Sequence, residues 1–351
     1  MARVPATAPA AQGYRWPAEW EPHRATWLSW PHNRETWPDC LDAAVASFVA
    51  LVGALAPREA IEIGVGDEAL EASARQALRR GGVDPDRNVR FHRYPTNDAW
   101  ARDHGPIFLV RDGGGRALCD FQFDNWGGKY PGHEPDDAVP GHVARILGLP
   151  RFACDVVLEG GGIDGDGLGT VLTTESCLLN PNRGGGRTRE RMERLLAGFL
   201  GARRVLWLAE GIEGDDTDGH VDDVARFVAP GVVVAAVCPD AADPNHAPLA
   251  ENRRRLAGMT DARGAALSIA DLPMPPRLAR HGHRSPASYA NFYLANGVAL
   301  VPTFGAPSDA RALAILRELL PDREVTGIPC VELVSGLGAI HCVTQQEPAG
   351  T

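Results

Sequence analysis

Four segments of the chain combine residue types that can carry out covalent chemistry. One, near the C-terminus, places Cys342 in the glycine-flanked stretch GLGAIHCVTQQEP, residues 336–348. A second surrounds His220 with five aspartates in GDDTDGHVDD, residues 214–223. The other two are NDAWARDHGP, residues 97–106, and LEGGGID, residues 158–164. Because a cysteine can act as a nucleophile and a histidine can move protons, these segments predict a nucleophilic active site.

The many carboxylates in these segments indicate the charge of the substrate. Negative charge around a cysteine opposes the oxyanion that forms during amide hydrolysis. The same charge suits a guanidinium, a planar cation whose N–H donors carboxylates bind in paired hydrogen bonds. A bound cation would also help to keep the thiolate of a cysteine, whose ordinary pKa is about 8.5. We therefore predict a cysteine-dependent enzyme that acts on a guanidine.

Each segment taken alone has a simpler explanation. A single cysteine is more often a small buried apolar residue than a nucleophile, and a single histidine is usually structural. The acidic run resembles a calcium-binding loop, but counting from Asp215 puts His220 at the loop's glycine position and Arg226 at its final glutamate position. A zinc site at His220 and Asp222 lacks a third ligand at a standard spacing. We expect neither a metal nor an organic cofactor.

Short strands and helices must position these segments. Apolar residues recur at helical spacing in residues 40–56, 68–80, 188–200 and 308–320. Short apolar runs closed by turn residues are centred near residues 62, 108, 174, 230 and 299, and VARFVAPGVVVAAV, residues 224–237, is the clearest hairpin. This spacing predicts about five strand–helix units in a ring around a central channel, with an ordinary α/β sheet as the alternative.

Composition is that of a globular enzyme, with 44% hydrophobic and 23% charged residues among 351. The net charge of −10 argues against nucleic acid or an anionic membrane as a partner. Seven cysteines without a CxxC pair favour a reducing cytoplasm over a disulfide framework. No apolar stretch is long enough to cross a membrane. We expect residues 1–13 to be a disordered leader and residues 14–351 to be a single catalytic domain.

The four segments resemble those of the agmatine deiminases, within a wider family that includes the bacterial peptidyl-arginine deiminases. Two more stretches share the resemblance: residues 16–32, with WPAEWEPH and TWLSWPH, and residues 287–293, ASYANFY. Together they extend the resemblance over residues 14 to 348. It implies an α/β pentein fold, which is a five-bladed propeller of pseudosymmetric ββαβ units.

The resemblance also implies roles for the reacting residues. Cys342 corresponds to the nucleophile of these enzymes. His220 corresponds to the general acid and base, and Glu159 to the carboxylate that supports it. Asp103 and Asp222 correspond to the two carboxylates that grip the guanidinium.

Three further residues are implied in binding the rest of the substrate. Trp100 corresponds to an aromatic residue along the alkyl chain. Asp216 stands where many relatives have a glutamate, and it is the candidate partner for the far ammonium of agmatine. Asp98, in the segment of Asp103, is also assigned to substrate binding. The expected reaction converts agmatine to N-carbamoylputrescine and ammonia through a cysteine thiouronium, a step towards putrescine.

Other reactions at the same centre stay open. A peptidyl-arginine or free-arginine deiminase would use the same cysteine and histidine, and Arg102, Arg183 and Arg187 are available for the carboxylate of arginine. An amidinotransferase would replace water by an amine. A non-catalytic binding protein would lack the cysteine or the histidine, and both are present. The expected partner is a small cationic guanidine, and the sequence leaves open whether the chain forms a homo-oligomer.

Overall fold

The fold is described from a computed structural model for residues 7–280 and 282–350. The strands are β1 (His23–Ser29), β2 (Ala60–Val65), β3 (Val89–Arg93), β4 (Ile107–Arg111), β5 (Gly115–Gln122), β6 (Arg151–Val157), β7 (Ile163–Gly165), β8 (Thr170–Thr174), β9 (Arg204–Leu208), β10 (Ala225–Ala229), β11 (Val232–Val237), β12 (Ser268–Pro273), β13 (Ala279–Arg280), β14 (His283–Arg284), β15 (Tyr293–Ala295), β16 (Val298–Thr303), β17 (Glu324–Pro329) and β18 (Gln345–Pro348). The helices are α1 (Leu41–Leu55), α2 (Glu68–Arg80), α3 (Ala101–His104), α4 (Asn125–Gly128), α5 (Glu134–Asp137), α6 (Val139–Leu147), α7 (Glu175–Leu178), α8 (Arg189–Leu200), α9 (His246–Ala257) and α10 (Ser308–Leu319). Single 3-10 turns occur at Pro9–Gln12, Gly160–Gly162, Pro181–Arg183, Val221–Asp223 and Leu333–Gly336.

Five sheets share one strand order. In each, the first strand pairs antiparallel with the second, and the second pairs parallel with the third. The sheets are β4-β5-β6, β7-β8-β9, β10-β11-β12, β15-β16-β17 and β18-β1-β2, with β3 added to the last. A parallel pair needs a crossover, and a helix lies between the second and third strand of every unit. The mixed α/β class is thereby confirmed, and the described residues form five units with this strand order.

One of these units is assembled from both ends of the chain. Strand β18 pairs antiparallel with β1, and Gln345 faces Trp27 across that pair. Residue 342 lies only three residues before β18, so the cysteine segment is fixed to a sheet that the N-terminal strand also builds. The hydrogen bonds that β18 makes to the inner strand β1 hold this segment more rigidly than a free chain end.

The helices form where the sequence supplies a cap and one apolar face. The Asp67 side chain accepts a hydrogen bond from the Leu70 amide at 2.8 Å and caps α2. The same helix buries Ala74, Ala77 and Leu78, while its other side stays polar. The largest apolar cluster joins α1 with strands of three sheets, and it includes Trp100 and Cys342. The reactive segments therefore lie against the main core.

Most of the elements predicted from periodicity are confirmed. The four predicted helices are α1, α2, α8 and α10, and the predicted hairpin is β10–β11. Helices α6 and α9 were not predicted. The prediction of a disordered leader is wrong for residues 9–12, because Pro9–Gln12 form a 3-10 turn and Pro9 is buried. Residues 1–6 of that leader lie outside the described residues. No helix in the described ranges has the length and apolar character needed to span a bilayer.

Candidate active site

The polar segments come from equivalent places in the five units. Each lies immediately before the first strand of its sheet: Asp103 before β4, Glu159 before β7, His220 before β10, Asn291 before β15 and Cys342 before β18. Because these strands occupy the same place in repeated units, the residues that precede them lie at the same end of each unit. The repeat therefore gathers one reactive segment from every unit.

Gly161 marks the point where three of these segments meet. A Cβ atom placed on Gly161 would lie 2.5 Å from His220 Nδ1, 2.8 Å from Asp103 Oδ1 and 3.0 Å from Asp222 Oδ2. The contacts to His220 and Asp103 are closer than a real methyl group shows and the contact to Asp222 is tight, so a side chain here would force these groups to shift. The triple glycine in residues 160–162 thus has a steric reason: it permits close approach of the backbone to reacting groups.

Asp103 is held by two donors. Its Oδ2 accepts a hydrogen bond from Trp126 Nε1 at 3.0 Å, and its Oδ1 accepts one from the Gly161 amide at 3.0 Å. His220 Nδ1 is 3.7 Å from the same Oδ1. Trp126 lies in α4 with φ of 56°, a left-handed conformation that is costly for a bulky residue. This strained turn aims the indole at Asp103.

Cys342 is buried, with 7% of its surface exposed. Asn291 Nδ2 lies 3.1 Å from its Sγ, and Asp222 Oδ2 lies 3.9 Å from it. A Cβ on Gly338 would be 2.4 Å from the Trp100 ring and 3.1 Å from the Cys342 Cβ. Trp100 and the thiol therefore border the same glycine, and the indole can line a substrate that approaches the sulfur.

The site is rich in negative charge. Burial, followed by the carboxylates of Asp222, Asp223 and Asp103, raises the pKa of the Cys342 thiol well above its usual value. Burial raises the pKa of Asp103 to about 7. Burial and then Asp103 raise the pKa of Asp222 well above its usual range. These groups hold protons that they would release on meeting a cation, since an opposite charge favours ionised carboxylates and thiolates.

Two buried atoms point to what the site binds. Within the described ranges, Asp222 Oδ1 and His220 Nε2 have no hydrogen-bond partner. A buried polar atom without a partner costs free energy, so such atoms often face a ligand. An unpaired carboxylate oxygen beside a thiol calls for a donor, and the N–H groups of a guanidinium are donors.

Glu159 lies beneath His220 and carries its own counter-ion. The Arg183 Nε donates to Glu159 Oε1 at 2.8 Å, and both side chains are 1% exposed. Glu159, Cys177 and His220 each offer one ligand atom, and these three atoms lie within 4.8 Å of one another, a spacing that a metal ion could bridge. Burial and then Arg183 lower the pKa of His220 well below its usual value. The guanidinium of Arg183, which is fixed beside Glu159, would repel a metal ion at this position.

A buried polar network contacts Asp222 and holds its carboxylate in place. His341 Nδ1 lies 2.7 Å from Asp222 Oδ2, and His341 Nε2 lies 2.8 Å from Glu19 Oε2. Glu19 also pairs with Arg102 at 3.1 Å and with Arg226 at 2.9 Å. The network ties the N-terminal segment, α3 and β10 to the residue preceding the cysteine.

Two of the predicted substrate-binding residues make their contacts outside this cluster. Asp98 accepts hydrogen bonds from the Thr36 hydroxyl and, at 2.7 Å, from the Ala99 amide. Burial raises the pKa of Asp98 to about 6. Asp216 Oδ2 accepts a hydrogen bond from the Tyr130 hydroxyl at 2.5 Å. Their roles in substrate binding stay predictions.

Several residues of the site were not predicted from the sequence. They are Glu19, Trp126, Asn291 and His341. Arg183 was considered only for the carboxylate of arginine, and the structure pairs it with Glu159 instead. Asn291 and Glu19 each carried a weak signal, because a polar residue stands among aromatic ones in ASYANFY and in WPAEWEPH. Trp126 gave none, since its role depends on an unusual backbone turn that a sequence pattern does not show.

Comparison with known proteins agrees with this geometry. Residues 15–348 match the Porphyromonas-type peptidyl-arginine deiminase family. An agmatine deiminase of Stutzerimonas stutzeri (strain A1501) is 38% identical over 98% of both chains. An agmatine deiminase structure from Enterococcus faecalis superposes with a TM-score of 0.91, at 33% identity over 99% of both chains. A substrate-bound C. jejuni agmatine deiminase gives 0.85 at 28% identity, over 95% of this chain and 96% of that one. The chain therefore belongs to the Porphyromonas-type peptidyl-arginine deiminase family.

Proposed function

We propose that this protein hydrolyses agmatine to N-carbamoylputrescine and ammonia. One observation carries the proposal: a buried thiol, Cys342, lies 3.9 Å from a carboxylate, Asp222, whose other oxygen has no partner within the described residues. Such a site can bind a cation that has several N–H donors, and a guanidinium is such a cation. The relatives named agmatine deiminases, similar over nearly the whole chain, support the choice of substrate.

The first half of the reaction forms a covalent intermediate. The guanidinium binds between Asp103 and Asp222, and its positive charge lowers the pKa of the thiol that these carboxylates had raised. The Cys342 proton passes to His220, and the thiolate attacks the guanidinium carbon. His220 then gives the proton to the departing nitrogen. Ammonia leaves, and an S-alkylthiouronium remains on the sulfur.

The second half releases the product. Neutral His220 removes a proton from a water molecule, which attacks the same carbon. The carbon–sulfur bond breaks, the thiolate is restored and a ureido group leaves. Glu159 faces His220 and can stabilise the imidazolium form in each half. Asn291 contacts the sulfur at 3.1 Å and can donate to the thiolate. No step requires a metal or an organic cofactor.

The far end of the substrate decides between agmatine and arginine. We assign the ammonium of agmatine to Asp216, the alkyl chain to Trp100, and retain Asp98 as a candidate at the same end. Support comes from the Tyr130 hydroxyl, which orients the Asp216 carboxylate at 2.5 Å. One observation favours arginine as the substrate. The ammonium of Lys129 is next to Asp216 and pairs with the Asp218 carboxylate at 2.8 Å. An α-carboxylate could compete for that ammonium.

We also propose that residues 14–351 form one catalytic domain with its five units closed into a propeller. The contacts between units support closure: α9 packs on β9, α10 on β12, α1 on β17, and β4 on β18. The first unit thereby contacts the fifth. The seven cysteines are all free thiols, which supports a reducing compartment such as the cytoplasm.

The test is detection of ureido product after incubation with agmatine, free arginine and a blocked arginyl peptide. The proposal expects product from agmatine at a much higher kcat/KM than from the other two. Faster turnover of an arginyl peptide would keep the chemistry but overturn the substrate. An absence of ureido product from all three would overturn deimination itself.

A further inference from the structure

His341 occupies an unusual position between two carboxylates. Its Nδ1 is 2.7 Å from Asp222 Oδ2, and its Nε2 is 2.8 Å from Glu19 Oε2. Both distances are those of short hydrogen bonds, and the imidazole is only 2% exposed. Each contact needs one proton, whereas a neutral imidazole has a single N–H. The pair of contacts therefore requires a second proton, either on His341 or on one carboxyl group.

Glu19 is the less suitable place for that proton. Arg102 lies 3.1 Å and Arg226 lies 2.9 Å from its carboxylate, and the Leu294 amide donates to Oε1 at 2.8 Å. Burial opposes ionisation of Glu19, but Arg226, His341 and Arg102 outweigh it and lower the pKa of Glu19 well below its usual value. Glu19 is thus an anion that accepts, and His341 Nε2–H donates to it.

The second proton must then lie on the short contact between His341 and Asp222. Asp222 is surrounded by acidic groups from two other segments, Asp103 on α3 and Cys342 before β18, and by Asp215 from its own segment. Burial followed by Asp103 raises the pKa of Asp222 well above its usual range. Burial, Arg102 and Arg226 lower the pKa of His341. In the free protein, Asp222 therefore carries the proton and donates it to neutral His341 Nδ1.

We propose that Glu19 and His341 form a positioning pair that holds Asp222 towards the substrate and takes up its proton when a guanidinium binds. The inference rests on the proposed function, since Asp222 is there one of the two carboxylates that grip the cation. On binding, the Asp222 O–H bond breaks and an Nδ1–H bond forms on His341, across 2.7 Å. Asp222 becomes the anion that the guanidinium needs. His341 becomes an imidazolium held by Glu19, and no proton leaves the protein from this pair.

This arrangement gives His341 a role that packing alone does not require. A carboxylate fixed only by donors would have to release its proton to solvent for each substrate bound. A neighbouring base with its own buried counter-ion accepts the proton without exchange with water. Its effect therefore shows in where a proton goes, which can be measured separately from whether the protein folds.

The direct experiment follows the ring nitrogens of His341 by NMR. The full-length Cys342→Ala protein, labelled with ¹⁵N-histidine, is titrated with agmatine, which should bind without being consumed. The His341 signals are assigned by their loss in the added His341→Asn variant. We expect a neutral ring with a protonated Nε2 before agmatine, and an imidazolium after it. His92 is the matched control, because its Nε2 lies 2.7 Å from Glu62 Oε2 on β2, and its signals should not respond.

A second measurement separates positioning from proton uptake. In His341→Asn the amide can still donate to Asp222 but cannot accept its proton. Calorimetry of agmatine binding in two buffers of different ionisation enthalpy should show about one more proton released by Cys342→Ala/His341→Asn than by Cys342→Ala.

The outcomes distinguish this inference from the function on which it rests. A His341 ring in the same protonation state before and after agmatine would overturn the proton transfer, while deimination would still stand. Equal proton release by the two proteins would overturn it as well. If Cys342→Ala failed to bind agmatine while remaining folded, the proposed substrate and the proton transfer would both fall.

Discussion

Replacement of Asp103 by asparagine should change stability and activity in opposite directions at alkaline pH. The side chain is buried, and burial raises its pKa from 3.8 to about 7. The folded protein thus binds this proton more tightly than the unfolded chain. It follows that the free energy of unfolding falls as pH rises through this window, because the unfolded state loses the proton first. An amide at this position has no such dependence.

The size of the effect follows from the difference in pKa. Each unit is worth about 1.4 kcal/mol, and between pH 5 and pH 8 ionisation of Asp103 alone should lower the free energy of unfolding by about 2.5 kcal/mol. Asparagine also turns a donor towards Trp126 or Gly161, which costs about 1–3 kcal/mol at every pH. Relative to the parent protein, Asp103→Asn should therefore gain about 2.5 kcal/mol as pH rises from 5 to 8.

Denaturant titrations of both proteins at pH 5, 6, 7 and 8 measure this difference. Ureido formation in the same samples should fall by several orders of magnitude, because one of the two carboxylates that grip the cation is lost. Asp112→Asn, at an exposed aspartate, is the control and should show no such trend. A stability difference that stayed constant with pH would show that Asp103 is already ionised in the free protein, and would refute the reasoning.

Three further predictions concern the Cys342 thiol, the glycine turn and recognition of the far end of the substrate. Cys342→Ala should lower turnover by about 10⁴-fold or more while remaining folded. Cys119→Ala, at a buried thiol in β5, should retain turnover. Activity in Cys342→Ala would exclude Cys342 as the nucleophile. Gly161→Ala should lower kcat/KM by about 10²-fold, because its methyl group displaces three reacting groups. Gly185→Ala, whose methyl group would meet no atom within 4 Å, should leave kcat/KM unchanged. Equal kcat/KM values for the two variants would contradict the steric argument. Asp216→Ala should raise the KM for agmatine by about tenfold and that for a neutral-tailed alkylguanidine much less, and equal losses would mean that Asp216 supports the loop.

The repeat was the part of the fold that the sequence could predict. Each unit buries a short apolar strand pair, so the five runs and their spacing were visible without any alignment. Helix α6 has a well-defined apolar face but escaped prediction because Pro140 and Gly141 in its first turn are typical of a loop. Helix α9 escaped prediction because its apolar face is weak. The residues before each first strand could be recognised as polar interruptions, and four of the five segments were found in this way.

The supporting residues could not be predicted, because tertiary contacts alone define them. His341 directly precedes Cys342, yet its importance arises from Asp222 and Glu19, which are 119 and 322 residues away in the chain. Trp126 reaches Asp103 only through a left-handed turn. The fifth unit also combines β18 with β1, and no local pattern shows that the two chain ends are neighbours.

A covalent thiouronium on Cys342 is the central chemical event proposed for this protein. Rapid mixing of the wild-type enzyme with agmatine, acid quenching within the first turnover, and mass spectrometry of the proteolysed chain would detect it. We predict an adduct on the peptide that contains Cys342, with the mass of agmatine less ammonia, which decays as N-carbamoylputrescine accumulates. Formation of the product without any such adduct, together with retained activity in Cys342→Ala, would contradict the mechanism.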